Sequence, residues 1–253
     1  MNSVLSDRTP EAEPPTNSAS DKLLRVLSAF GVQPSWEVAG LATHLELPKS
    51  TTHRLLQDLR RHGYVRQIPG SARYTLGYRM ALLAHSASPA AALREIVRPS
   101  LEHLAAITGE TASFIVADDL SALVLEVVES PSALRFALSP GTRFPLHRGS
   151  AGRVFLAFGE ADGRAKATAV LDPAERSRLE REIVSVRAQG WAYTANEVNL
   201  GAAAVAVPVL NAGVLVGCLA AGGPVTRMGP EVAQGLVSSL LGQAEAITKE
   251  LGG

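Results

Sequence analysis

The first part of the chain carries apolar residues at the spacing of helices. After Ser20, a candidate N-cap, leucines recur every three or four positions until Gly31. Residues 1–19 hold prolines, serines and glutamates without periodicity, which is typical of a disordered tail. The pattern predicts two further short helices, at Val38 to Leu45 and Lys49 to His62.

Alternating positions then replace the helical spacing. Tyr64 to Leu76 alternates around a Pro69-Gly70-Ser71 turn, which predicts a β-hairpin. Three small helices followed by a hairpin form a compact unit over residues 20–77, near the lower size limit for independent folding. Residues 78–108 are predicted to form two linker helices with a break at Pro89.

Strand-like runs and helical runs share the remainder, residues 109–253. The predicted strands are Thr111 to Val116, Ala122 to Val128, Leu134 to Leu138, Trp191 to Thr194, Ala202 to Val209 and Val214 to Ala221, and the predicted helices are Ala151 to Phe158, Pro173 to Gln189 and Pro230 to Leu251. Strands that follow one another in pairs, with helices between the groups, indicate an α+β fold with a mainly antiparallel sheet flanked by helices.

One apolar segment, Gly201 to Gly223, is long enough to span a bilayer. Pro208 and the Asn211-Ala212-Gly213 sequence interrupt it, so two buried strands joined by a short turn are favoured. The N-terminus lacks the apolar run of a signal peptide. We expect a soluble, cytoplasmic protein with no membrane partner.

Composition and charge narrow the function. Hydrophobic residues make up 46% of the 253 residues, enough for real cores, and the net charge of +0 points to no polyanion for the chain as a whole. From Ser18 to Gly77, however, eight basic and four acidic side chains give +4, so the remainder sums to −4. Such asymmetry is typical of a chain with a nucleic-acid-binding module.

The predicted helix from Lys49 to Arg61 has two distinct faces. At 100° per residue its leucines and Thr52 gather on one side. The other side lacks acidic residues and carries groups that donate to phosphates and base edges. A short helix, a turn, this helix and a basic hairpin match a winged helix-turn-helix. The predicted DNA-binding residues are Lys49, Ser50, Thr51, His53, Arg54, Gln57 and Arg61 on the helix and Arg66 and Arg73 on the hairpin.

Three sequence stretches resemble the IclR family of bacterial transcription regulators. LPKSTTHRLLQDLRRHGYV with a wing ending in YTLG is similar to the family's DNA-binding half. PLHRGSAGRVFLAF is similar to the segment that opens its ligand pocket, and residues 189–228 resemble its closing strands. The resemblance implies a winged-helix domain, a linker helix and a GAF-like effector-binding domain, assembled as a homodimer or a dimer of dimers.

The chain departs from the family pattern at several positions. Glu46 stands where the family usually has glycine, so a positive φ there implies strain of about 1 kcal/mol. Gly149 and Ser150 stand where the family often shows threonine and alanine. Ala220 and Gly222 replace serines that bind small carboxylates in some members, which argues against that ligand class here.

The RGSAG sequence before an apolar helix admits several interpretations. It lacks the spacing of a P-loop and of a nucleophile elbow, which leaves an ordinary capped helix start or a site for an anion or carbonyl group. The family resemblance favours the ligand site. The predicted effector-binding residues are Ser150, Ala151, Gly152, Phe155, Tyr193, Glu197, Ala220 and Gly222.

Metal, cofactor and redox chemistry are not expected. His147 and Glu197 are candidate metal ligands, but a lone histidine near a turn is more often a hydrogen-bonding structural group. Cys218, the single cysteine, is expected to be a small buried apolar residue.

The sequence therefore predicts a ligand-controlled transcription regulator, a repressor rather than an activator. Its partners would be double-stranded operator DNA with inverted half-sites and a small organic effector. Two other classes remain as alternatives. The first is an enzyme with a winged-helix appendage, disfavoured because no catalytic constellation is found, and the second is a winged helix that docks proteins.

Overall fold

The structure of the protein, a computed structural model, describes residues 18–87 and 89–252, without the side chains of residues 84–87 and 89. Two compact units divide between residues 88 and 89. The predicted disordered tail lies outside the described residues except for its last two positions. The elements of the first unit are α1 (Ala19–Ala29), β1 (Trp36–Glu37), α2 (Val38–Leu45), α3 (Lys49–Arg61), β2 (Val65–Gln67), β3 (Arg73–Leu76) and α4 (Tyr78–Ala87).

The first unit packs α1, α2, α3 and a small sheet around one core. The sheet has the order β1-β3-β2 with antiparallel pairing, so the predicted hairpin is confirmed and gains a third strand. Strand β1 is only two residues long, too short to show an alternating pattern. The Trp36 indole Nε1–H donates to the Ala29 carbonyl oxygen at 2.9 Å, which ties this strand to the end of α1.

Two helix ends in this unit bear on the sequence interpretation. The N-cap of α1 is Ser18 rather than Ser20, because the Ser18 hydroxyl accepts the Asp21 amide at 3.1 Å. Helix α2 ends at Glu46, which adopts φ 55° and ψ 40° in the left-handed region. A non-glycine residue at this position of the turn before α3 is therefore strained, as the departure from the family pattern predicts.

The second unit combines a sheet with five helices. Its elements are α5 (Pro89–Thr108), β4 (Thr111–Asp118), β5 (Ser121–Val128), β6 (Arg143–Pro145), α6 (Gly149–Phe158), α7 (Ala161–Thr168), α8 (Pro173–Gln189), β7 (Ala192–Ala195), β8 (Ala202–Asn211), β9 (Val214–Pro224) and α9 (Pro230–Glu250). The predicted linker, residues 78–108, is thus divided between the two units.

The six strands run in the order β6-β5-β4-β9-β8-β7, and every neighbouring pair is antiparallel. One face packs on α5 and α9 through a core that includes Phe114, Val205 and Leu219. The opposite face packs on α6, with Ala206 and Cys218 in its core. The predicted α+β class is confirmed, and strand alternation decides which side chains face α6.

The apolar segment considered as a membrane span forms β8 and β9 instead. Ala212 and Gly213 make the two-residue turn between them, both with positive φ, which matches the twist of a tight hairpin. No helix among the described residues is long and apolar enough to cross a membrane.

One predicted strand is wrong and three elements were not predicted. Leu134 to Leu138 lies in an irregular loop, residues 129–142, because its carbonyl groups accept hydrogen bonds from side chains rather than from a strand. The edge beside β5 is taken by the short strand β6, which was not predicted. Besides β1, helix α7 was also missed, since its sequence ADGRAKAT has almost no amphipathic pattern.

Candidate functional site

Helix α3 presents a polar face above a buried apolar one. Thr52, Leu55, Leu56 and Leu59 are at most 5% exposed and form part of the first core, as the helical wheel predicts. On the opposite face Lys49, Ser50, His53 and Arg54 are exposed, and Thr51 is partly exposed. The start of α3 therefore offers hydroxyl, ammonium and guanidinium groups to solvent together.

The later turns of α3 are partly engaged within the protein. Gln57 donates from Nε2 to the Tyr74 hydroxyl of β3 at 3.1 Å and lies 3.3 Å from the His53 Nε2 atom. Arg61 forms an ion pair with Asp58 but keeps 73% of its side chain exposed. Arg60 is also exposed, although it lies about 80° from Ser50 on the wheel and so falls outside the predicted face.

The two predicted wing arginines are bound by neighbouring groups. The Arg73 guanidinium donates to the Ser35 hydroxyl at 2.9 Å and to the Ser35 carbonyl oxygen at 2.8 Å. The Arg66 guanidinium lies over the Tyr78 ring at 5.2 Å. Most of the freely exposed positive charge of this candidate interface therefore belongs to α3 rather than to the hairpin.

A pocket opens between α6 and the sheet of the second unit. Its floor includes one cross-strand row of small side chains, hereafter the small-residue row: Thr111, Gly222, Ala204 and Thr194, from β4, β9, β8 and β7. Ser113 and Ala220, paired across β4 and β9, extend this floor. The walls are mainly apolar, and the free interior volume is about 40 Å³. The pocket exists because side chains on this part of the sheet are short.

The first turn of α6 borders the pocket. Gly149, Ser150 and Ala151 line it, while the last residue of α6, Phe158, lies beside Pro208 and Leu210 far along β8. The helix therefore runs along β8 away from the pocket, and its first amides point back toward the pocket. The amides of Ser150 and Ala151, and the Ser150 hydroxyl, have no hydrogen-bond partner among the described residues.

Glu197 accepts a hydrogen bond from another backbone amide of this turn. Its Oε2 accepts the Gly149 amide at 3.0 Å, and Arg153 pairs with both carboxylate oxygens at 2.9 and 3.0 Å. Arg153 is 8% exposed and also donates to the His147 carbonyl oxygen at 2.7 Å and to Glu182. The charge of Glu197 is thus offset beside the pocket, so the amides of Ser150 and Ala151 stay available to a ligand.

Two pKa shifts describe this network. Burial alone raises the pKa of Glu182, but the hydrogen bond from Arg178 and the charge of Arg153 outweigh it and hold that pKa below the ordinary value. Burial, followed by the charges of Arg148 and Arg153, lowers the pKa of His147. His147 is therefore neutral at physiological pH, and Glu182 is charged.

The predicted effector residues divide into two groups. Ser150, Ala151, Glu197, Ala220 and Gly222 line the pocket. The other three predicted residues, Phe155, Gly152 and Tyr193, do not line the pocket. Phe155 points into the core beneath α6, Gly152 packs against the Leu146 backbone, and Tyr193 faces the other side of the sheet, where its hydroxyl donates to the Met228 carbonyl oxygen at 3.0 Å.

Sequence reasoning missed several lining residues. Thr111 and Ser113 alternate on β4, Thr194 lies on β7, and Phe136 and Phe144 come from the loop before β6 and from β6 itself. Two hydroxyl residues at alternate positions of an otherwise apolar strand were the available signal. The aromatic pair gave none, because the loop that holds Phe136 has no regular pattern.

The candidate metal ligands and the single cysteine have the following surroundings in the described part of the chain. No group of three or more histidine, cysteine, aspartate or glutamate side chains there is arranged to hold a metal ion. Cys218 is fully buried, and burial raises the pKa of its thiol, so its sulfur is protonated and inert.

Comparison with known proteins places both units in one family. Residues 19–69 match the IclR helix-turn-helix domain, and residues 85–249 match the bacterial transcriptional regulator IclR C-terminal domain. The chain belongs to the IclR family. It is thus a DNA-binding transcriptional regulator of a ligand-responsive type, which agrees with the resemblance drawn from its motifs.

Individual IclR-family relatives cover nearly the whole chain. The glycerol operon regulatory protein of Streptomyces griseus is 30% identical over 239 residues, 91% of this chain and 93% of that protein. The DNA-binding transcriptional repressor YiaJ of Escherichia coli K12 is 28% identical, covering 96% of this chain and 91% of its own. These relatives are named as regulators, not as enzymes.

A solved structure shows the same fold. The crystal structure of an IclR homolog from Microbacterium hydrocarbonoxydans, complexed with 4-hydroxybenzoate, superposes with a TM-score of 0.77 at 23% identity. It covers 92% of this chain and 99% of that one. The two-unit architecture is therefore that of IclR regulators.

Proposed function

We propose that the protein is a repressor that binds an inverted-repeat operator through α3 and releases it in response to a small organic effector. The DNA-binding part of this proposal rests on the exposed face of α3 described above. Lys49, Ser50 and Arg54 stand at the end of the helix that a winged helix-turn-helix inserts into the major groove. The named repressor among the relatives supports the sign of regulation.

We assign residues 20–77 to DNA binding, 78–108 to the linker and 109–253 to effector binding. The proposed assembly is a homodimer or a dimer of dimers, in the cytoplasm. Tyr78 is 75% exposed, Leu83 48% and Ile107 49%, all on the helices between the DNA-binding and effector-binding parts. Exposed large apolar side chains on such helices are typical of a subunit interface.

The proposed effector has an anionic or carbonyl end and an apolar body. One observation carries this assignment: the unpaired amides of Ser150 and Ala151 open into a pocket with mainly apolar walls. Helix N-terminal amides and the positive end of the helix dipole favour such a polar end. The 4-hydroxybenzoate bound by the structural relative is a molecule of this type.

No catalytic step is proposed. Ser150 is the hydroxyl residue of the α6 start, and among the described residues no imidazole or carboxylate is hydrogen-bonded to it. Regulation instead requires that the effector bind two arrangements of the protein with different affinity, because only differential binding changes operator affinity.

The DNA-binding proposal is tested by mapping the DNA bound by the full chain in cells and measuring affinity for the recovered sites. We expect inverted half-sites, and a linear fall of log affinity with log salt concentration. A duplex that carries one half-site is the control and should bind far more weakly. A monomer in sedimentation that still binds the full site tightly would contradict the assembly.

The effector proposal is tested by calorimetric titration with 4-hydroxybenzoate and with metabolites implied by the neighbouring genes. The expected result is binding by the isolated protein, together with a change in operator affinity for the same compound. A preference for very small polar acids such as glyoxylate would show the assignment of an apolar body to be wrong.

A further inference from the structure

Phe136 packs on a glycine in the floor of the pocket. A Cβ atom at Gly222 would lie 3.0 Å from the Phe136 Cδ1 atom and 3.4 Å from the Ala204 Cβ atom. The glycine thus leaves the space above the small-residue row that the half-buried ring occupies. The first turn of α6 and the Phe136 ring both line this pocket.

The backbone that carries Phe136 is held on both sides. Its own carbonyl oxygen accepts the Thr111 hydroxyl at 2.9 Å, and the Leu134 carbonyl oxygen accepts Arg227 Nη2 at 2.9 Å. Arg227 is in turn fixed by the Glu110 carboxylate, with distances of 2.6 and 2.9 Å, and Glu110 is 6% exposed. The backbone beneath the ring cannot move aside without the loss of these hydrogen bonds.

We infer that Phe136 is the end wall of the effector pocket and sets the greatest length of the apolar body that the protein accepts. The inference rests on the proposed effector site at the start of α6. A polar end held by the Ser150 and Ala151 amides directs the apolar body over the small-residue row toward the ring. Effectors are therefore short acids or carbonyl compounds, and longer homologues are excluded by contact with a ring whose backbone is held in place.

The test uses straight-chain carboxylates from butanoate to decanoate, titrated into the full chain by calorimetry. For the wild type, affinity should rise about fourfold per methylene until the chain meets Phe136, then fall. Phe136→Ala should move the optimum at least two methylenes longer. An unchanged optimum in this variant would overturn the inference.

Two further variants provide the controls. Phe144→Ala removes the other ring of the pocket, which lies near Gly149 at the α6 side, and should weaken every carboxylate without moving the optimum. Gly222→Ala pushes on the Phe136 ring and should move the optimum to shorter chains. A shift with Phe144→Ala as large as that with Phe136→Ala would refute an end wall at Phe136.

Failure of the effector proposal can be distinguished from failure of this inference. If the wild type binds no carboxylate, the proposed polar end is wrong, and the wall is tested by crystals of the full chain under xenon pressure. Phe136→Ala should then hold xenon above Gly222 and the wild type should not. Equal xenon occupancy at that position in both proteins would overturn the inference.

Discussion

The recognition face of α3 and the pocket beside α6 are built in opposite ways. The α3 face consists of neighbours on one thirteen-residue helix, exposed to solvent over a buried apolar side. The pocket brings together residues from Thr111 to Gly222 on five strands, two loops and a helix start, and most of them contribute short or apolar side chains.

Because of this difference, the two sites should respond differently to amino-acid substitutions. On the α3 face each polar or charged side chain makes its own contact with DNA. Each substitution there should therefore remove one contact and leave the others in place. A pocket formed by packing depends on positions that never touch the ligand, since they fix where the lining lies.

Arg153→Met should destabilise the second unit by about 3 kcal/mol, because it leaves Glu182 and Glu197 without their shared partner. Effector binding should be lost with it, although Arg153 itself does not line the pocket. The measurement is denaturant unfolding of the full chain, with Arg178→Met as the control. Arg178 pairs with the same Glu182 but is 76% exposed, so its removal should cost far less.

The Arg153→Met variant should also change how the free energy of unfolding depends on pH. The pKa of Glu182 is held below its ordinary value, so the stability that this group contributes is present near neutral pH and is lost as the solution is acidified through the lowered pKa. Without Arg153 that pKa should rise toward its ordinary value, so the acid-induced loss of stability that this group causes should become smaller. Identical pH profiles for the two proteins would show that the ion pair does not set this pKa.

Arg54→Ala should weaken operator binding by about 1–3 kcal/mol if the guanidinium contacts a base edge. Arg73→Ala is the matched comparison. Because its guanidinium is bound to Ser35, its loss should lower the stability of the first unit more than it lowers DNA affinity. Equal losses of DNA affinity in the two variants would mean that the hairpin arginine is free to contact DNA.

The pocket hydroxyl should have a smaller and strictly local effect. Ser150→Ala should weaken effector binding by about 1.5 kcal/mol, roughly tenfold, since a hydrogen bond to a charged group contributes on that scale. Operator affinity without effector should stay nearly unchanged. Calorimetry and duplex binding on the same preparation measure both, and a loss of DNA affinity without effector would contradict the separation of the two sites.

Glu46→Gly should give the smallest effect and with the opposite sign. A glycine relieves the left-handed strain at the turn before α3, which favours folding by about 1 kcal/mol, less the entropy that the unfolded chain gains. We expect a net stabilisation of about 0.5 kcal/mol by thermal unfolding. A destabilised variant would show that the Glu46 side chain makes a contribution larger than the strain.

The contrast also explains which features of the protein could be predicted from its sequence alone. The faces of α3 follow from one helical period, so Leu55, Leu56 and Leu59 were correctly placed inside and Arg54 outside. The β8–β9 hairpin followed from the turn sequence around Ala212 and Gly213. Both are properties of adjacent residues, where local geometry decides the outcome.

The rest depended on contacts between distant residues. Whether Tyr193 or Thr194 faces α6 changes with a register shift of one residue, which the alternation of β7 leaves undetermined. The binding of Arg73 by Ser35 and the support of Phe136 by Thr111 each join segments more than twenty residues apart. No local pattern records these partners, and they decide which side chains are available to a ligand or to DNA.

The small-residue row leaves the interior of the second unit incompletely filled. A molecule that enters supplies contacts that larger side chains would otherwise have made, and it therefore serves as a removable part of the hydrophobic core. At a concentration one hundred times its dissociation constant it would add about 2.7 kcal/mol to the unfolding free energy of this unit alone. The unfolding temperature of the regulator should therefore rise with the concentration of its effector.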